Sequence, residues 1–291
     1  MKKYLYIIVL LHSVFYSCGR FSAKETKPNQ DERIVCVSKQ YNEIIFTLRA
    51  DSAIVGVDLT STYPEAVKKL PTVGYHRALS AEAILALKPT LILHDNNIGP
   101  DHVVKQLTNL KIPMKTFGKY SNTMEGTDSL IREIGSYFHR DKEADSVCNI
   151  FRTEMIKAIG IGKSFNTKPR VLVIHFGQAS NSYLVMTKHS TAAKLIEWAG
   201  GEMAVEDEKG MKQISAEVVA KANPDIILLT DFGYDRLGST DKIKELPGVS
   251  ITNAFKNNKI FRVEEHDLVY LGPRSGSIIM AYQALIHPDE K

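Results

Sequence analysis

The stretch from Gly74 to Leu93 decides the fold, and it reads Gly-Tyr-His-Arg-Ala-Leu-Ser-Ala-Glu-Ala-Ile-Leu-Ala-Leu-Lys-Pro-Thr-Leu-Ile-Leu. From its serine onward the pattern recurs at residues 215–228 as Ser-Ala-Glu-Val-Val-Ala-Lys-Ala-Asn-Pro-Asp-Ile-Ile-Leu. Each copy predicts a helix capped by its serine, a proline that stops the helix, and a buried strand. The duplication therefore indicates two related lobes.

The chain around the two copies alternates between short apolar runs and helical patterns. The run Ile34-Val35-Cys36-Val37 is continuously apolar, as expected of a strand covered on both faces in a parallel sheet. A polar loop, His94-Asp95-Asn96-Asn97, follows the strand of the first copy, at the edge where α/β sheets line ligand crevices. We predict an α/β fold of two similar parallel-sheet lobes, residues 33–120 and 169–291.

Residues 121–168 carry no strand signal, and we predict that they connect the lobes through helices. Apolar residues recur there at helical spacing, for example Leu130, Ile134, Phe151 and Met155. A helix of up to about 20 residues would span about 30 Å, roughly the width of a small domain. The expected result is one rigid interdomain helix.

The N-terminus has the pattern of a signal peptide. Lys2 and Lys3 precede the apolar run Tyr4–Val14, which is shorter than the roughly 20 residues that a permanent membrane helix needs. We therefore predict that residues 1–17 are cleaved. Their removal takes away two lysines and no acid, so the formal charge falls from +4 to +2. That charge gives no indication of a nucleic-acid partner.

Cys18 follows the apolar run as the lipidated cysteine of a lipoprotein would. The preceding Phe15-Tyr16-Ser17 departs from the usual small-residue pattern at Tyr16, and a plain secretory peptide is the alternative. Residues 18–32 are polar and suit a flexible, lipid-anchored linker. The other two cysteines, Cys36 and Cys148, are expected to be free thiols, although an exported location permits a disulfide.

Residues 74–89, together with Met-Thr-Lys-His-Ser-Thr-Ala-Ala at 186–193 and Leu-Gly-Pro-Arg at 271–274, resemble the haemin-binding proteins of bacterial haem ABC importers. That family lies within a wider class that also carries cobalamin and ferric siderophores. The resemblance covers essentially all of residues 33–286. It implies the class III architecture, with haem (ferric protoporphyrin IX) clamped between the lobes. It also implies an exported binding protein rather than an enzyme, which delivers its ligand to a permease dimer with its ATPase.

Tyr75 is the predicted iron ligand. A phenolate is a hard oxygen donor that suits ferric iron, but the unperturbed phenol has a pKa of about 10 and needs a nearby cation to ionise. In an extended segment Arg77 would share a face with Tyr75, and His76 would point away. Spacing alone also permits Tyr75 at a turn and Arg77 in solvent. The resemblance favours Tyr75 as the ligand, with Arg77 as its electrostatic partner or as a clamp on a haem propionate.

The second lobe offers further candidates. The resemblance implies that a second-lobe histidine can act as an additional ligand, and His189 is the candidate for it, although a loop histidine is often only solvated. His76 and His175 are weaker candidates. Arg274, at the start of the last helix, can face the cleft or can bridge backbone groups instead, and Tyr270 lies just before it.

Glu82 and Glu217 occupy equivalent positions in the two copies. The resemblance implies that such a pair docks on arginines of the two permease subunits, one acid from each lobe. The simpler interpretation is that an acid at the start of a helix stabilises it by about 0.3–1 kcal/mol.

Other functions remain open at this point. Cobalamin or a ferric siderophore could replace haem as the ligand, and a haem scavenger would need no transporter. An exported enzyme is a further class, but the chain has no Gly-x-Ser-x-Gly elbow, no phosphate-binding loop of the full pattern Gly-x-x-x-x-Gly-Lys-Ser/Thr, and no His-Glu-x-x-His zinc helix.

Overall fold

The computed structural model describes residues 32–207 and 209–290. The predicted signal peptide, the predicted lipid-attachment residue Cys18 and the predicted linker up to residue 31 lie outside the described residues. None of the helices in the described part of the chain is both long and apolar enough to cross a membrane.

The first lobe is an α/β unit. In chain order it contains β1 (Ile34–Cys36), α1 (Lys39–Thr47), β2 (Ile54–Val57), β3 (Gly74–Tyr75), β4 (Ala78–Leu79), α2 (Ala81–Ala86), β5 (Leu91–Leu93), α3 (Asp101–Asn109) and β6 (Met114–Lys115). Its main sheet is fully parallel, in the order β2-β1-β5-β6. Ile34 and Cys36 of β1 pack into one apolar cluster, whereas Val35 and Val37 pack into another. The sheet is therefore covered on both faces, as its continuous apolar runs predict.

Two helices connect the lobes, α4 (Met124–Tyr137) and α5 (Asp141–Ser164). Helix α5 has 24 residues, more than predicted, and spans about 36 Å. Ala144 and Cys148 in its first half pack into the core of the first lobe. Phe151 and Met155, farther along the helix, pack into the core of the second lobe. One helix thus contributes side chains to both cores.

The second lobe has a mixed sheet. In chain order it contains β7 (Arg170–Gly177), β8 (Ser182–Met186), α6 (Thr191–Trp198), β9 (Glu202–Met203), β10 (Met211–Gln213), α7 (Ala216–Ala222), β11 (Ile226–Thr230), α8 (Asp231–Leu237), α9 (Asn253–Lys256), β12 (Ile260–Val263) and α10 (Ser275–Ile286). Strands β7, β11 and β12 are parallel, as in the first lobe. Strand β8 pairs with β7 in antiparallel fashion, and β10 pairs in the same way with β8.

The duplicated sequence folds in the same way in both lobes. The Ser80 hydroxyl accepts a hydrogen bond from the amide of Ala83 at 3.1 Å and starts α2, and the Ser215 hydroxyl accepts one from the amide of Val218 at 3.2 Å and starts α7. Each helix is followed by a buried parallel strand, β5 or β11. The predicted correspondence of the two copies is confirmed at the level of caps, helices and strands.

The two cysteines of the described chain are buried and free, as expected for Cys36 and Cys148. Burial raises the pKa of both thiols, to about 12 for Cys148. Both side chains act as small apolar groups of the first-lobe core.

Candidate functional site

A cavity of about 770 Å³ lies between the two lobes. Its first-lobe wall comes from the start of α1, which follows β1, from the loops that follow β5 and β6, and from the β3–β4 hairpin. These loops lie at the carboxyl ends of parallel strands, the usual ligand edge of such sheets. The polar loop residues Asp95, Asn96 and Asn97 are part of this wall, as predicted. The volume falls within the roughly 300–1,000 Å³ of small-molecule sites.

Four aromatic side chains contribute to the first-lobe wall beside its polar groups. Tyr41, Tyr75, Phe117 and Tyr120 all line the cavity. Tyr41 packs edge-on against Phe117, with ring centroids 5.1 Å apart. A wall of this kind suits a ligand with a large, flat apolar body.

Tyr75 is presented by a tight hairpin. Strands β3 and β4 pair Gly74 with Leu79 and Tyr75 with Ala78, so His76 and Arg77 form the turn. Gly74 has φ +98°, and a Cβ there would lie 2.8 Å from the carbonyl oxygen of Ala78. Only glycine fits that position without strain. The hairpin brings Tyr75 and both turn residues to the cavity.

The predicted orientation of His76 is wrong. Because residues 75–78 turn instead of continuing as a strand, His76 lies beside Tyr75, with ring centroids 4.2 Å apart. Its Nδ1 is 3.6 Å from a carboxylate oxygen of the buried Asp58. Arg77 donates from Nε to the Asn97 side-chain oxygen at 2.8 Å. These contacts fix the turn against the rest of the lobe.

The pKa of Tyr75 is raised, although the sequence predicted that the nearby Arg77 would favour ionisation of the phenol. Burial raises the pKa of the phenol above its usual value, and the charge of Arg77 lowers it without compensating. The carboxylates of Glu265 and Asp58 raise the pKa further. Arg77 thus acts in the predicted direction, but the phenol of the ligand-free protein is protonated at neutral pH. Ionisation of Tyr75 would need an additional positive charge, such as a ferric ion.

His175 is the histidine that the second lobe brings to the cavity. It lies near the carboxyl end of β7, and among the described residues its Nδ1 has no hydrogen-bond partner. Burial lowers the pKa of the ring, so the imidazole is neutral at pH 7. The sequence offered one signal for it, the position at the end of a parallel strand.

His189 is not brought to the cavity. Its side chain is exposed in the turn before α6 and is not among the cavity-lining residues. The following Ser190 caps α6 by accepting a hydrogen bond from the amide of Ala193 at 3.3 Å. The predicted contact between His189 and a ligand in this cavity therefore has no geometric support.

Arg274 does not face the cavity either. Its Nε donates to Glu43 at 3.1 Å, its Nη2 donates to Asp267 at 2.7 Å, and its guanidinium lies 3.4 Å from the centre of the Tyr63 ring. These partners occupy the charged group, and Arg274 is not among the residues that line the cavity, so its predicted contact with the ligand has no geometric support. Tyr270, the weaker candidate, does line the cavity.

Glu82 and Glu217 are exposed in the first turns of α2 and α7, away from the cavity. Each is the acid that follows the capping serine of its copy. The structure thus places one free carboxylate at the equivalent point of each lobe. Among the described residues no group of three or more His, Cys, Asp or Glu side chains is arranged to hold a metal ion.

Two α/β lobes that share one long helix and enclose a cavity define a class III periplasmic substrate-binding protein. The chain belongs to the periplasmic binding protein family, whose model matches residues 34–266.

Several relatives of the chain are haem-binding proteins. The high-affinity heme uptake system protein IsdE of Staphylococcus aureus (strain MRSA252) is 28% identical over 269 residues, which cover 90% of this chain and 89% of the relative. The periplasmic heme-binding protein RhuT of Roseiflexus sp. RS-1, solved in its apo form, is 29% identical with a TM-score of 0.79, covering 88% of this chain and 98% of that one. The uncharacterized ABC transporter substrate-binding lipoprotein YvrC of Bacillus subtilis (strain 168) is 25% identical, covering 91% of this chain and 82% of the relative.

Proposed function

We propose that the chain is the substrate-binding component of an ABC importer, which holds haem in the cavity between the lobes and delivers it to the permease dimer and its ATPase. The observation that carries the proposal is Tyr75, a phenol presented by a glycine-dependent hairpin to an aromatic cavity of about 770 Å³. The haem-binding relatives support the same ligand.

Tyr75 would bind the ferric iron of the cargo as a phenolate. The phenol loses its proton on binding, and the cationic Arg77 stabilises the resulting negative charge. Arg77 and Lys119 are also the lining cations without a carboxylate partner within salt-bridge distance among the described residues, so they are suited to pair with the two propionates. His76 has a different role, because its contact with Asp58 holds the hairpin.

His175 takes the place that the sequence suggested for His189. Its neutral ring faces the cargo from the second lobe, with nitrogen lone-pair or N–H capacity that the described protein does not use. Glu82 and Glu217 would then dock each lobe on an arginine of one permease subunit. Lipidation of Cys18 would hold the exported protein at the membrane, at the cell surface or in the periplasm, and the lipoprotein relative supports this anchor.

Titration with haemin tests the proposal. The wild-type complex should show a shifted Soret band and the charge-transfer band of a ferric phenolate, and Tyr75→Phe should abolish the charge-transfer band and weaken binding. Tyr120→Phe is the matched control, because Tyr120 also lines the cavity but donates its hydroxyl to Glu133 at 2.8 Å. Equal spectra for Tyr75→Phe and the wild type would disprove the ligand assignment. Displacement of haemin by equimolar cobalamin would instead point to the wider class.

A further inference from the structure

The lobes meet beneath the cavity at a buried carboxylate, that of Glu43. Glu43 belongs to α1 of the first lobe, and its side chain is 1% exposed. Its partners come from the second lobe: one oxygen lies 2.8 Å from His266 Nε2 and accepts from the Tyr270 hydroxyl at 3.2 Å, and the other accepts from Arg274 Nε at 3.1 Å. Burial alone raises the pKa of Glu43, but the hydrogen bond with His266 and the charge of Arg274 outweigh burial and hold the pKa below its usual range. The carboxylate is therefore ionised, and both of its oxygens contact residues of the second lobe.

Neighbouring contacts continue this junction along α1. Lys39 forms an ion pair with Glu265 of the second lobe, and both side chains are largely buried. Gln40 donates from its side-chain amide to the carbonyl oxygen of Leu271 at 2.8 Å. Residues 39–43 of the first lobe thus hold residues 265–274 of the second lobe through charged and polar contacts.

The junction is also the floor of the cavity. Lys39 and Gln40 from the first lobe and Glu265 and Tyr270 from the second lobe line it. Glu43 lies behind them and is not a lining residue. Because removing one partner of a buried charge cluster leaves the others uncompensated, such a cluster tolerates one relative position of its members far better than others.

We infer that Glu43 is a positioning residue for the cargo: it fixes residues 265–274 against α1 and so sets the separation of the two cavity walls without touching the cargo. The haemin-binding part of this inference rests on the proposed function. The effect on lobe separation does not.

Glu43→Gln is the informative variant, because it keeps the size of the side chain and removes the negative charge that pairs with Arg274. Asp128→Asn is the matched control. Asp128 is a largely buried carboxylate that contacts Arg132 at 3.0 Å and Arg152 at 2.7 Å, but these partners join α4 to α5 and do not cross the cavity. Both variants should lower the Tm, so the loss of stability alone does not separate them.

Haemin titration and small-angle X-ray scattering separate the two variants. We expect Glu43→Gln to weaken haemin binding by roughly tenfold or more, whereas Asp128→Asn should stay within about twofold. The ligand-free Glu43→Gln protein should also have a larger radius of gyration than the wild type, and Asp128→Asn should not. Equal affinity losses in the two variants, or a wild-type affinity in Glu43→Gln, would overturn the inference.

Two further variants keep the test decisive. If Glu43→Gln does not fold, Arg274→Met removes one partner at a partly exposed position outside the cavity and should give a smaller change of the same kind in both measurements. Tyr75→Phe should weaken haemin binding with no change in the scattering curve. If the wild type binds no haemin, the proposed function fails, and the scattering of Glu43→Gln still decides the inference: an unchanged curve rejects it.

Discussion

The proposed iron ligand Tyr75 has a raised pKa, and in the proposed complex this would determine how haemin binding depends on pH. The free phenol is protonated at neutral pH because burial raises its pKa above the usual value, whereas the iron-bound form in the proposed complex would be a phenolate. Binding therefore releases a proton from Tyr75. Affinity must fall as the pH falls, since a higher proton concentration favours the free protein.

We expect the haemin affinity of the wild type to be up to about tenfold higher for each pH unit between about pH 6 and about pH 8. Equilibrium titration of monomeric haemin at several pH values measures this slope. Tyr75→Phe should lose most of the slope, because no phenol remains to release its proton. A wild-type slope equal to that of Tyr75→Phe would contradict the assignment of the released proton to Tyr75.

His175 and His189 form a natural pair for a comparison at the second lobe. Loss of one polar contact to the ligand typically costs about 0.5–1.5 kcal/mol, so His175→Ala should weaken haemin binding by roughly three- to tenfold. It should also shift the Soret maximum if the ring contacts the iron. His189→Ala should leave both properties unchanged because His189 is exposed outside the cavity. The reverse ranking would restore the prediction made from sequence.

At the residue scale, the positions of side chains within one motif could be predicted from the sequence better than contacts between distant parts of the chain. Tyr75 and Arg77 belong to the same short hairpin, and local turn chemistry brings both to the cavity. The ion pair of Arg274 could not be predicted because its partner Glu43 is 231 residues away, and no local pattern shows that contact. The unpaired Nδ1 of His175 could not be predicted for a related reason, since a missing hydrogen-bond partner among the described residues is a property of the folded neighbourhood.

The β3–β4 hairpin depends on one backbone conformation. Gly74→Ala would force an alanine into φ +98° and within 2.8 Å of the Ala78 carbonyl oxygen, which costs about 1–3 kcal/mol of stability. Because the strain falls on the segment that carries Tyr75, haemin affinity should fall as well. Thermal unfolding and haemin titration of the variant measure the two effects.

Gly160→Ala is the control for this prediction. Gly160 lies in α5, where an added Cβ would meet none of the described atoms within 4 Å, and alanine favours a helix over glycine by about 1 kcal/mol. We expect an unchanged or higher Tm and unchanged haemin binding. A loss of affinity in Gly160→Ala equal to that in Gly74→Ala would show that the hairpin has no special role.

At the element scale, capped helices and buried parallel strands could be predicted from the sequence because their signals are local. Ser80 and Ser215 cap their helices as the repeat indicates. The antiparallel strands β8 and β10 could not be predicted in the same way, because the residues of β10 are exposed and gain their strand conformation from pairing with β8. The extra length of α5 likewise reflects packing against both lobes.

At the scale of the whole molecule, Glu82 and Glu217 are the proposed contacts with the permease. We expect Glu82→Lys combined with Glu217→Lys to abolish most haem-dependent growth while leaving haemin affinity in solution unchanged, because both residues lie away from the cavity. Each single variant should have an intermediate effect. Uptake assays in cells and titration of the purified protein provide the two readings.

Glu125→Lys combined with Asp141→Lys is the matched control for the docking prediction. These acids also lie in first turns, of α4 and α5, and are exposed, so the change of charge and the loss of helix-start stabilisation are the same. Uptake should persist in this control. If uptake also persists in Glu82→Lys combined with Glu217→Lys, the protein is better described as a scavenger that needs no transporter.

Helix α5 belongs to both halves of the protein, since Cys148 anchors it in one core and Phe151 anchors it in the other. A chimaera of this chain and a homologue therefore has no loop next to α5 at which a crossover would leave both cores intact. With a crossover before α5, the first lobe of one parent would have to pack against the α5 helix of the other parent. With a crossover after α5, the second lobe would face the same mismatch. The most tolerant crossover point is expected within the helix itself, between Cys148 and Phe151, where each parent retains the side chains that fit its own interior.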